Sequence, residues 1–255
     1  MAKNYLIYPC KTMRITQTYT GTTSHKPHTT GSPKDYPWDE GCDDTGRSWC
    51  YCPCDSMKVK RVYGVGSGGT NTLWLESTSK VYFADGTADY FTMLITHPND
   101  DDLKNIKVGQ TFKRKEKICR EGKDGATGNH FHFSGGKGKY KDYGWLKNSN
   151  GKWVLNTTNG TFKPEQLFFI DKSFTKVLQT KGLIFKDLSS VNNYFKKYTG
   201  TSSSIVDGLY AIGATTTFAY RVKIAKANGI SAYVGTAAQN KKLLDLLKQG
   251  KLIKP

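Results

Sequence analysis

Acidic side chains, histidines and long apolar runs are scarce in this chain, and each scarcity narrows what it can do. Asp and Glu total 21 against 38 Lys and Arg, a net charge of +17, so the surface attracts polyanions: nucleic acid, acidic lipid or phosphate-rich wall polymer. No window approaches the roughly 20 apolar residues that span a bilayer, which excludes helical membrane insertion. The opening "MAKNYLIYPCKTMRITQTY" has no sustained apolar core and turns polar by residue 11, so synthesis in the cytoplasm is expected. No G-x-S-x-G elbow occurs, which leaves a serine nucleophile without its usual turn. Recognition helices, RNP-like aromatic strands and finger spacings are also missing, so nucleic acid is not an expected partner.

Cysteine is present but badly spaced for metal. Four of the six lie together as Cys42 and "WCYCPC" (Cys50, Cys52, Cys54), a C-x-C-x-C run without the two-residue gap of zinc knuckles and with no second pair after it. On a strand the last three share one face about 6.6 Å apart with parallel Cβ vectors, poor geometry for mutual disulfides. Small buried thiols facing a core are the expectation.

What the chain does have is strand texture, then helix texture. Residues 1–172 are rich in β-branched and aromatic residues, broken by Gly, Asn or Asp, as in "VYFADGTADYFTMLITH" and "GKWVLNTTNGTF". That punctuation predicts antiparallel strands and hairpins. Residues 173–202 carry Lys and Ser with little period and read as a linker. Residues 203–255 predict a small all-α domain of three helices, each closing at a glycine: Gly213, Gly229 and Gly250. The first of these helices offers a Ser cap and apolar Ile205, Val206, Leu209 and Ile212. Eight Lys and Arg against Asp207 and Asp245 give the segment a charge of +6, and it holds no His or Cys. A binding module is expected there rather than an active site.

All five histidines fall in the β-rich part: His25, His28, His97, His130 and His132. In "GATGNHFHFSGG" an extended strand puts His130 and His132 on one face and Phe131 and Phe133 on the other. Such a set suits a catalytic zinc, which takes three His or Asp ligands and keeps one position for water, with further histidines to move protons or stabilise an oxyanion. Cys–His catalysis would leave the H-x-H pair unexplained. Tyr and Trp in "YPWD" and "DYGW" are candidates for substrate walls as well as for packing. Gly125, Gly128, Gly135 and Gly136 are candidates for a rim that an extended peptide approaches.

The segment "KVGQTFKRKEKICREGKDGATGNHFHF", with a lone His ending the strand "YFTMLITH", resembles the lysostaphin/LytM-type zinc endopeptidases of peptidoglycan. The resemblance covers roughly residues 12–170 and implies an antiparallel β-sheet groove, with His132 on zinc and His97 and His130 acting in catalysis. The early motif departs from that family's H-x-x-x-D. "TSHKPH" and "DYPWDEG" offer His25 or His28 and Asp35 or Asp39, with His25 and Asp39 favoured. The tail, at "RVKIAKANGI", "GTAAQN" and "LLKQGKLIKP", resembles a wall-binding module found at the ends of phage endolysins. Together they imply a zinc-dependent peptidoglycan hydrolase, partnered by peptidoglycan and anionic wall polymers and released from the host cytoplasm by a holin. An inactive wall-binding protein on the same scaffold is the alternative.

Overall fold

The computed structural model describes residues 3–20, 24–41, 46–191 and 194–255; Cys42 lies outside them. They divide into two units, Met1–Leu188 and Ser189–Pro255.

Alternation in the strand His130–Lys137 organises the first unit, which is mainly antiparallel β. Phe131 and Phe133 are wholly buried and stack with ring centroids 4.9 Å apart. Burial of each contributes about 1.5–3 kcal/mol. Their strand lies inside an eight-stranded sheet ordered Lys176–Gln179, Thr12–Gln17, Trp38–Gly41, His130–Lys137, Phe91–Thr96, Thr72–Ser77, Ser56–Tyr63, Thr111–Lys113. Every pairing is antiparallel except that of Lys176–Gln179 with Thr12–Gln17. One face carries Met13, Ile15, Trp38, Leu73, Leu75, Met93 and Ile95 into the core beside the two phenylalanines. The opposite face is partly covered by the hairpin Tyr140–Lys147/Trp153–Thr157, and Trp74, Leu94 and Leu155 form a small second core beneath it.

The register aligns one cross-sheet row. Asp39 stands opposite His132, His132 opposite Thr96, Thr96 opposite Thr72, and Thr72 opposite Tyr63. Five strands thus present five side chains on the face away from the core.

Two expectations change here. The segment 173–202 is shared between the units rather than linking them: Lys176–Gln179 pairs with Thr12–Gln17 and Lys186–Asp187 with Phe169–Ile170, while Phe195 is buried in the second unit's core. Backbone pairing there offsets the weak apolar period that made it read as a linker. Gly135 and Gly136 are not rim residues. A Cβ on the first would meet Leu167 Cδ1 at 2.5 Å and on the second Thr157 Cγ2 at 2.6 Å, so both glycines serve close packing.

Described cysteines Cys10, Cys50, Cys52, Cys54 and Cys119 are free and buried. Cys50 pairs across strands with Cys119, and burial pushes both thiols up.

In the second unit the helices are Ile205–Ala211, Phe218–Ala227 and Ala237–Lys248. Ser204, Thr217 and Thr236 cap them, each side chain accepting a backbone N–H three residues on. The closing glycines take positive φ of 74°, 71° and 70°. Leu209, Ile224, Leu243, Leu247 and Leu252 form the core. Val206 is exposed.

Candidate metal centre

Three ligand-type atoms converge at one end of the row. His132 projects from the middle of its strand and Asp39 from the strand beside it. His25 comes from the turn just before the short helix Lys26–Thr29. His25 Nε2 lies 3.1 Å from Asp39 Oδ1 and 3.2 Å from His132 Nδ1, and His132 Nδ1 lies 3.1 Å from Asp39 Oδ1. His25, Asp39 and His132 are the one such metal-ligand group among the described residues.

The outer contacts explain why this set suits a cation. His25 Nδ1 is 3.1 Å from the Thr18 carbonyl, which can only accept, so that nitrogen carries the proton and Nε2 presents its lone pair to the Asp39 oxygen. Ligands bound about 2.0–2.1 Å from a tetrahedral zinc stand about 3.3 Å apart, close to the spacing seen. Burial alone would raise the Asp39 carboxyl, but with no cation bound, hydrogen bonds and attraction from His132 and His25 in their protonated form outweigh it and hold it well below the carboxylate range.

His97 and His130 stand beside this group with ring centroids 4.6 Å apart. His97 follows the strand Phe91–Thr96 at φ 80°, and its Nδ1 lies 2.7 Å from the Asp124 carbonyl. His130 Nδ1 lies 3.0 Å from the Gly128 carbonyl. Both rings therefore carry the proton on Nδ1 and leave Nε2 as the acceptor. His130 Nε2 is 3.9 Å from Asp39 Oδ1, so it borders the ligand group without joining it. Burial, helped by the neighbouring His130 and His132, lowers His97 to about 4.

The alternates take other places. His28 faces His132 with centroids 5.8 Å apart, its buried Nδ1 has no hydrogen-bond partner, and burial lowers it to about 4. Asp35 is buried and accepts from Ser134 Oγ at 3.0 Å and from the Leu155 and Tyr36 amides at 3.2 and 2.9 Å. It fastens the hairpin to the sheet.

From this centre a cavity of about 1090 Å³ runs along the row, past Thr96 and Thr72 to Tyr63. Tyr143 and Trp145 of "DYGW" line it, whereas Trp38 of "YPWD" lies in the core. Arg61, Lys152 and Trp153 also line it, and sequence reasoning did not single them out. The hairpin that delivers Lys152 and Trp153 had a turn signal in "NSNG", but nothing local says which face it covers.

No protein-family model matches the chain, and no curated protein matches its sequence. Solved structures with some likeness include a candidate M23 peptidase from Pseudomonas aeruginosa, at 17% identity over 58% of this chain and 47% of that one, TM-score 0.34. A zinc-containing peptidase from Vibrio cholerae is 20% identical over 52% of this chain and 36% of that one, TM-score 0.33. LytU is 17% identical over 61% of this chain and 83% of that one, TM-score 0.32. The chain thus spans less than half the length of the first two, and residue roles rest on the geometry described above.

Proposed function

We propose that the first unit is a zinc-dependent endopeptidase that cleaves a peptide bond in the stem or cross-bridge of bacterial peptidoglycan. The observation that carries this is the meeting of His25, Asp39 and His132 beside the His97–His130 pair at one end of an elongated cavity. His25 Nε2, Asp39 Oδ1 and His132 Nδ1 would hold the metal. A zinc ion bound there supplies Lewis acidity, polarising a carbonyl and acidifying water.

The chain's own groups supply the proton movements. Nε2 of His97 or His130 takes the proton of the attacking water and passes it to the leaving amine, and the other ring stands where the oxyanion develops. The carbonyls of Asp124 and Gly128 hold the Nδ1 protons of both rings, so the ring that acts as base offers a bare Nε2, while the ring at the oxyanion serves as imidazolium, donating its Nε2–H. Because His97 is lowered to about 4, it is neutral and able to accept at pH 7.

The proposal extends to targeting. Residues 203–255 bind peptidoglycan and its anionic polymers, supported by a charge of +6 and by exposed Tyr210 and Phe218. A phage lysin made in the host cytoplasm and released by a holin fits this pairing. No described helix is long and apolar enough to cross a membrane. Metal analysis of the purified protein, with mass spectrometry of digested peptidoglycan, tests the reading. One zinc per chain and newly freed amines are expected; metal-free protein leaving walls intact would favour the inactive alternative.

A further inference from the structure

The far end of the cavity holds an arginine in an unusual setting. Along Ser56–Tyr63 strict alternation from Met57 and Val59 would turn Arg61 into the core. A bulge between Val59 and Arg61 shifts the register, so Arg61 stands opposite Trp74 and Tyr63 opposite Thr72, both on the cavity face. The Arg61 guanidinium lies 5.2 Å from the Tyr63 ring, 5.2 Å from Trp74 and 5.7 Å from Tyr143. Three aromatic faces hold its plane.

The third wall comes from a second irregularity. In Tyr140–Lys147 the register breaks between Tyr140 and Trp145, and Asp142, Tyr143 and Gly144 take φ of 42°, 58° and 78°. Left-handed backbone at two consecutive non-glycine residues is costly and persists only where other contacts impose it. Arg61 Nη1 donates to the Tyr143 carbonyl at 2.6 Å, and Trp74 Nε1 donates to the Gly144 carbonyl at 3.2 Å. These bonds hold Tyr143, 78% exposed, above the cavity.

Among the described residues Arg61 forms no ion pair, and its guanidinium donates to the Tyr143 carbonyl. A guanidinium has five N–H donors in a planar fork that matches a carboxylate. We propose that Arg61, caged by Tyr63, Trp74 and Tyr143, is a subsite that reads a free carboxylate on the bound peptide and so determines specificity. This rests on the endopeptidase reading for the direction of the peptide. Arg61 is three strands from His132, about 14 Å, and an extended peptide covers that in about four residues. The carboxylate read therefore belongs to a residue about four along the substrate from the scissile bond. Lys152 on the same cavity adds attraction for an acidic peptide without comparable geometry.

The test uses the full chain carrying His97→Ala in zinc-containing buffer, so that peptide stays uncut. The ligands are L-alanyl-D-isoglutamyl-L-lysyl-D-alanyl-D-alanine and the same peptide with both carboxyls amidated, each titrated calorimetrically. The free acid should bind about 10-fold or more tightly than the amide, and Arg61→Met should bring that ratio close to one. Tyr143→Ala, at an exposed position, should reduce the ratio in part, and near-UV circular dichroism checks the fold of each variant. Equal affinities for the two peptides, no binding of either, or an unchanged ratio in a folded Arg61→Met would each overturn the subsite. Failure of the endopeptidase reading looks different: the ratio and its dependence on Arg61 hold, but the unsubstituted chain releases no amine from walls.

Discussion

At the scale of the residue, three short distances separate the proposed metal ligands from the proposed proton carriers, and substitution should do the same. His132→Ala should lose stoichiometric zinc and wall hydrolysis together, because two remaining ligands bind weakly. His97→Ala and His130→Ala should keep zinc by elemental analysis while losing about 10²-fold or more in rate. Loss of metal in either would move that ring into the ligand set. On the early side, His25→Ala and Asp39→Ala should lose metal, whereas His28→Ala and Asp35→Ala should retain it. Asp35→Ala should instead destabilise the fold, since it leaves Ser134 and two backbone amides without their acceptor. The pH response of metal-free protein follows from His28 and His97, both lowered by burial from 6.5 to about 4. Between those values the unfolded chain binds more protons than the folded one. Their contribution to stability is therefore complete above about 6.5 and disappears as pH falls toward 4. The thermal midpoint of chelator-treated protein should drop across that interval, and His28→Gln should make the drop shallower. Glu40, raised by burial from 4.5 to about 8, acts in the opposite sense between those values, so the comparison decides: an equal drop in His28→Gln would contradict the His28 assignment.

At the scale of the element, the irregular strands contribute most. Gly144 sits at φ 78°, where an added Cβ would meet Trp74 Cδ1 and Tyr140 Cε2 at 2.6 Å, so Gly144→Ala should cost about 1–3 kcal/mol in urea unfolding. A neutral result would mean the bulge can relax. What the sequence disclosed tracks regularity. His130–Lys137 obeys a period of two, so the shared face of His130 and His132 was readable, as were the glycine stops of the three helices. The choice of His25 and Asp39 came from resemblance, since their approach depends on the antiparallel register of Trp38–Gly41 with His130–Lys137. Arg61 was illegible for a physical reason: one extra residue in the bulge reverses every side chain after it, and nothing in "MKVKRVY" marks where that residue falls. Likewise Lys176–Gln179 has no buried residue to announce a strand, because it is held through backbone pairing at the sheet edge.

At the scale of the whole molecule, the two units should be separable at residue 188 rather than at 172. Residues 1–188 should keep peptidase chemistry on soluble wall fragments. Residues 1–172 should be less stable and more prone to associate, because removal of Lys176–Gln179 bares the edge of Thr12–Gln17. Light scattering and thermal melts of the two fragments check this. Residues 189–255 alone should sediment with intact walls, less so as salt rises, since exposed lysines facing polyanions are screened over about 8 Å at physiological ionic strength. A fragment that never sediments, beside a first unit that lyses cells as well as the full chain, would remove targeting from the second unit. The row from Asp39 to Tyr63 has an evolutionary consequence of its own. Each strand offers one cavity-facing side chain about every 4.8 Å across the sheet, and next to it in sequence Trp38, Phe131, Phe133, Ile95 and Leu73 point into the core. Thr96, Thr72 or Tyr63 can therefore mutate one at a time, each altering contact with one stretch of ligand while Leu73 and Ile95 keep their packing. Such a surface can drift toward a new ligand in single steps without passing through an unfolded ancestor.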